Sequence, residues 1–212
     1  MANFFSASQE EQQEILLSIW QRFKYVIIAF FVLLVVFIVS RDFITESRNE
    51  RDLETSVLFQ EYLESEEDMP SSGQELLEEY PETLYSDFVR LNQAKKEFEK
   101  GDKDKAINLL QLVIDKHSDS SDQFNPLIAA AQIRLCRIYI SKKDYQKVLD
   151  VLSNSNVLTA SLLELKGDAE NELGLYELAR VSYMRALQSS PSQTSRTLIN
   201  MKISDLEGEK IE

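Results

Sequence analysis

Residues whose chemistry could serve catalysis are few and scattered. The chain holds one histidine, His117, and one cysteine, Cys136. A metal centre needs several ligands converging, and a cysteine nucleophile needs a histidine beside it, so neither has its material here. His117 lies in the polar stretch HSDSSDQ, without a second ligand of its kind. Cys136 lies on an apolar helical face, where a lone thiol serves as a small core residue. One cysteine allows no internal disulfide, which suits reducing and oxidising compartments alike. Carboxylates abound, as at Glu64, Glu66, Glu67 and Asp68, but in acidic runs that read as solvated surface. No Gly-rich phosphate loop, G-x-S-x-G or H-E-x-x-H occurs. The chain reads as a non-enzyme with no metal and no cofactor, and its function must lie in surfaces.

Charge narrows the partners. The net charge of the 212 residues is −13, and residues 41–212 carry 21 basic against 33 acidic side chains. So acidic a surface repels nucleic acid and anionic headgroups.

The elements that would position such a surface begin with an apolar run. Tyr25 to Val39 contains no charge and no helix breaker. As a helix it covers about 22 Å, short of the roughly 30 Å of a hydrocarbon core. Phe23 adds apolar surface, Lys24 and Arg41 can snorkel, and Trp20, Tyr25 and Phe43 stand where an aromatic belt lies. This predicts one transmembrane helix over 23–43 rather than a buried core helix or a cleaved signal, since Ser40-Arg41-Asp42-Phe43 offers no cleavage site. Residues 1–22 form a polar, then amphipathic tail, with a Ser8–Glu11 capping box and a row of Ile15, Ile19 and Phe23. Arg22 and Lys24 on one side nearly balance Arg41, Arg48 and Arg51 on the other, so charge leaves the orientation open.

Beyond the anchor, residues 44–81 read as linking helices. The first carries Leu53, Val57, Leu58, Tyr62 and Leu63 and is broken by Met69-Pro70-Ser71-Ser72-Gly73; a short second helix runs through Leu76 and Leu77 and stops before Pro81. Residues 82–212 read as paired helices in repeat. In 167–191, Gly167 and Ala179 are small residues for a close helix crossing, Gly174 makes the turn, Tyr176 and Tyr183 fill the gap, Ala186 meets the next helix and Pro191 ends the run. That pattern resembles the tetratricopeptide repeat. A second copy aligns Cys136, Tyr139, Lys143, Tyr145, Val148 and Leu152, and a third aligns Ala94, Gly101, Ala106, Leu110 and Val113. The polar stretch 117–125 absorbs one long spacing, and a second helix clipped near Ser153-Asn154 absorbs a short one. A last helix, Ser192 to Leu206, is expected to cap the stack with a polar outer face. The fold class is therefore all-α: one transmembrane helix, then a tetratricopeptide-like α-solenoid with a capping helix.

Solenoids of this kind grip other proteins with the concave surface made by the first helix of each pair. By register that surface presents Phe88, Leu91, Lys95 and Phe98, then Ile133, Arg137 and Ile140, then Glu164, Asp168 and Asn171. Several are apolar, so part of the face is equally suited to packing beneath the helix of residues 42–66. A lysine-and-asparagine clamp for a terminal carboxylate is not recognisable, since Ile133, Ser161 and Leu165 stand in its places.

Three stretches carry a finer resemblance: Arg134-Leu135-Cys136-Arg137-Ile138, Leu165-Lys166-Gly167-Asp168-Ala169 and the closing Met201-Lys202-Ile203-x-x-Leu206. With the tail, anchor and repeats in this order, the chain resembles the YfgM family, ancillary subunits of the bacterial SecYEG translocon. The resemblance implies a cytoplasmic amino terminus, an inner-membrane anchor and a periplasmic domain. It also implies association with SecYEG and with a PpiD-like periplasmic chaperone, and contact with exported, still unfolded proteins. An import receptor facing the cytosol and an envelope assembly scaffold are the alternatives that share anchor and repeats.

Overall fold

A computed structural model describes residues 50–117, 125–153, 155, 158–190 and 192–209, with residues 20, 22, 25, 26, 29–34 and 37. The chain divides into two compact units, Met1–Ser56 and Val57–Glu212.

In the first unit, the described residues between 20 and 37 are helical, and their apolar side chains are exposed, Tyr25, Leu33 and Phe37 most of all. Among the described residues, no helix is long and apolar enough to cross a membrane. Much of the expected anchor over 23–43, and the tail with Ser8 and Glu11, lies outside the described residues.

The second unit is built of helices joined by turns and short links, with no strand among its described residues. Residues 50–64, which run into this unit, form α1. Then follow α2 (Ser71–Glu78), α3 (Leu84–Glu99), α4 (Lys103–Lys116), α5 (Pro126–Ser141), α6 (Tyr145–Ser153), α7 (Ala160–Glu172), α8 (Tyr176–Ser189) and α9 (Gln193–Glu209). Starts are set by caps: Thr83, Asp102, Asn125 and Thr159 each accept a first-turn N–H on the side-chain oxygen. Pro126 then opens α5, where its missing N–H costs nothing.

The repeat is visible in the turns. Gly101, Lys143 and Gly174 each have positive φ, 90°, 61° and 74°. In each turn two N–H groups fold back on the preceding helix: Gly101 and Asp102 on Phe98 and Glu97, Lys143 and Asp144 on Ile140 and Tyr139, Gly174 and Leu175 on Asn171 and Glu170. This is the left-handed helix stop that glycine accommodates best, and Lys143 adopts it with a side chain. Around each turn the same positions are buried. Ala94, Cys136 and Gly167 lie before it, and Ala106, Val148 and Ala179 after it, followed by Leu110, Leu152 and Tyr183. The register expected for the three pairs holds, and α6 is short where clipping was expected.

Close packing replaces bulk at two crossings. A Cβ on Gly167 would lie 2.5 Å from Cε1 of Tyr183, and one on Gly73 would lie 2.7 Å from Cδ2 of Tyr62. Gly73, expected in a helix break, sits inside α2 with Tyr62 of α1 against it. Tyr62, Leu76 and Val89 form one buried cluster, so residues 57–81 pack into the same unit as the repeats.

One expectation is corrected. His117 is no free loop residue: it follows α4, and its Nε2 lies 2.8 Å from a carboxylate oxygen of fully buried Asp87. The cations that balance that carboxylate are Lys116 (3.0 Å) and Arg90 (2.9 Å). Lys116 also donates to the carbonyls of Pro81 and Thr83, tying the end of α4 to the turn before α3. The outer side of α9 is mostly polar, with Gln193, Thr194, Arg196, Thr197, Asn200, Ser204 and Asp205 exposed, and it also shows Leu198 (52% exposed) and Met201 (58%).

A groove between first helices

The candidate site is built by the first helices of successive pairs. From α1 come Phe59, Tyr62 and Leu63, and from α3 come Leu84, Phe88, Leu91, Asn92 and Lys95. The start of α5 supplies Asn125, Pro126, Leu127, Ala130 and Arg134. They enclose a groove of about 770 Å³, within the range of roughly 300–1,000 Å³ that binding clefts occupy. Phe59 and Leu63 share a face of α1 at i, i+4. The Phe59 ring packs on Phe88 at 5.8 Å and on Tyr85 at 5.3 Å between centroids. Those contacts fix the wall without covering it: Leu63, Leu84 and Phe88 remain 60%, 57% and 44% exposed.

Polar contacts hold the frame. The Gln93 amide donates to the Tyr62 hydroxyl at 3.3 Å and to the Asp68 carbonyl, and Lys96 donates to that carbonyl at 2.9 Å. These bonds fasten the end of α1 to α3. Burial raises the Tyr62 phenol above its ordinary pKa, so it stays protonated. Arg134 of α5 donates from Nη1 to the Leu91 carbonyl at 2.8 Å. Lys95 Nζ is 3.7 Å from Glu99, a solvated pair of small worth.

The ten residues expected on the concave face separate into three groups. Phe88, Leu91 and Lys95 line the groove, with Leu91 buried at its floor. Phe98 and Arg137 are exposed but do not line it, and Ile133 and Ile140 pack half-buried on the main core. Glu164 and Asp168 are covered: Lys202 of α9 donates to both at 2.7 Å. The Tyr183 hydroxyl also donates to Asp168 at 2.8 Å. Burial works to lower the Lys202 pKa, but the bonds to Asp168 and Glu164 outweigh it and hold it above the usual lysine value. Asn171, about one turn further along α7 from Asp168, is half-buried. The concave row is therefore open at α3 and closed at α7.

Ten lining residues are not among those expected on the concave face, Phe59, Leu63 and Arg134 included. The i, i+4 pair on α1 was the signal for the first two. Nothing local marked Arg134, whose partner Leu91 is remote in sequence.

Chemistry in the rest of the unit is quiet. Among the described residues no group of three or more His, Cys, Asp or Glu is placed to hold a metal ion. Burial pushes the Cys136 thiol up to about 12, which leaves it an unreactive core atom group at neutral pH.

Stacked helix pairs with a concave groove define a helical-repeat interaction protein. A family model described as a tetratricopeptide repeat-like domain matches residues 18–208, and the chain belongs to that family. No curated protein and no solved structure matches it.

Proposed function

We propose that the chain is a non-enzymatic, membrane-anchored adaptor that works beside the Sec translocon. Its repeat domain grips segments of exported proteins and passes them to periplasmic chaperones of the PpiD kind. The observation that carries the gripping role is the open groove of α1, α3 and α5, whose wall holds the exposed apolar side chains Leu63, Leu84 and Phe88. Membership of a tetratricopeptide repeat-like family supports protein binding as the general activity. The anchor is supported by the exposed apolar side chains on the described residues between 25 and 37, and the translocon setting by the resemblance of the stretches around Cys136, Gly167 and Lys202.

Site-specific photocrosslinking in intact cells tests this reading. A photoreactive phenylalanine in place of Phe88 or Leu63 is expected to capture translocon subunits or exported proteins during export, and one in place of exposed Arg137 far less. Equal capture from both positions would remove the groove from the proposal. A periplasm-active reporter fused after Glu212 checks the orientation, and its silence would reverse the topology.

A further inference from the structure

The groove's charge differs in sign from that of the chain around it. The chain has 36 acidic and 23 basic side chains, yet the charged residues lining the groove are two cations, Lys95 and Arg134. The Arg134 guanidinium is held at the Leu91 carbonyl, and Lys95 follows Leu91 by one turn of α3, a rise of about 6 Å. Guanidinium and ammonium therefore flank one stretch of wall, above an apolar floor. The single hydrogen bond to Leu91 uses one of five guanidinium donors, leaving a fork suited to a carboxylate. Among the described residues the Lys95 ammonium pairs with the solvated Glu99, a contact that a better shielded carboxylate displaces at little cost.

We propose that the groove takes a short apolar segment of a partner protein that carries an aspartate or glutamate side chain, its carboxylate held between Lys95 and Arg134. This rests on the groove being a protein-binding site. Apolar side chains of the segment cover Phe59, Leu63 and Phe88, and the carboxylate fixes register along α3. The two cations also exclude segments with lysine or arginine at that point, since a like charge enters a partly desolvated site without a partner. The occupant is thus an acidic-apolar segment, and basic targeting sequences are rejected.

Fluorescence anisotropy on the full-length chain in phosphatidylcholine nanodiscs tests this, because that surface offers no anionic headgroup to the cations. The probe is an amidated, fluorescein-labelled peptide of leucine and phenylalanine with one central glutamate; its glutamine and lysine twins are controls. The glutamate peptide is expected to bind about tenfold tighter than the glutamine peptide, and the lysine peptide weakest. Arg134→Gln with Lys95→Gln should bring the three within about twofold, while Arg134→Lys keeps the order. If all three peptides bind the wild type alike, and Phe88→Glu abolishes binding, the acidic preference is overturned and the groove remains a peptide site. If Phe88→Glu leaves binding unchanged, the groove reading fails as well. If no peptide binds and the chain sediments as a dimer that Phe88→Glu dissolves, the occupant is a second copy and the proposal falls.

Discussion

The same row of positions meets opposite fates at the two ends of the repeat domain. On α3 it shows Phe88 and Lys95 to solvent, whereas on α7 it shows Glu164 and Asp168 to Lys202. The difference comes from the neighbour. At α3 the next first helix, α5, meets the groove with its cap and first turns, leaving a cleft toward α1. At α7 the helix α9 lies close enough to bury Ile199 and Leu206 with Leu163 and Tyr183. A repeat fold therefore does not expose its concave side uniformly. Its own terminal helix consumes one end and leaves the other for a partner.

The largest test of that contrast sets a covered residue against an open one. Ile199→Ala removes a side chain only 1% exposed and is expected to cost about 2–5 kcal/mol, read by denaturant unfolding. Leu63→Ala should change stability by about 0.5 kcal/mol or less, as at exposed positions generally. Comparable losses would show that the groove is packed and not open.

Lys202→Met comes next. It strips the shared cation from Glu164 and Asp168, leaving two carboxylates facing each other across a partly covered site. The expected loss is about 1–3 kcal/mol, with protease cleavage appearing first in α9. Full resistance of α9 to proteolysis would mean that apolar packing alone closes this end.

Alkaline pH probes the closed end and the core beneath it. Cys136 and Lys202 both have folded pKa values above their unfolded ones, so the folded state keeps protons that the unfolded chain has released. Their contributions are complete below the unfolded values, near pH 9 for the thiol and above pH 10 for the amine. They are lost as pH rises through the folded values, about 12 in the case of Cys136. The melting temperature should therefore fall between about pH 9 and 11, and less steeply in Cys136→Ala. A flat profile across that range would contradict the burial of both groups.

A small gain in stability is expected midway, at the turn between α5 and α6. Lys143 occupies the left-handed region where its counterparts are glycines, so Lys143→Gly relieves strain of about 1 kcal/mol. A destabilised variant would show that the lysine side chain is needed there.

What the sequence disclosed was local, and what it hid was long-range. The turns at Gly101, Lys143 and Gly174, the small residues Ala94, Cys136 and Gly167, and the clipped α6 were all legible, because each reflects spacing within one helix pair. The hold of Asp87 on Lys116 and His117 was not, since polar residues distant in sequence carry no mark of their pairing. The groove was half legible: periodicity placed Phe88, Leu91 and Lys95 on the inward row, but could not say that α1 would complete it and α9 would cover the other end. The capping helix α9 was legible too, its outer side mostly polar as a terminal helix requires, though Leu198 and Met201 interrupt it.

The contact between Gly167 and Tyr183 orders the histories open to this chain. No side chain fits at 167 while the ring is present, because a Cβ there would stand inside its van der Waals envelope. A smaller residue at 183 leaves only a void, costly but survivable. Substitution at 183 must therefore precede any at 167, and the reverse path crosses an unfolded intermediate. The two positions are epistatic by geometry, and a double-mutant cycle on Gly167→Ala and Tyr183→Leu should show the second change rescuing the first. The same one-way gate stands at Gly73 and Tyr62, with ring and hole exchanged between the helices of the pair.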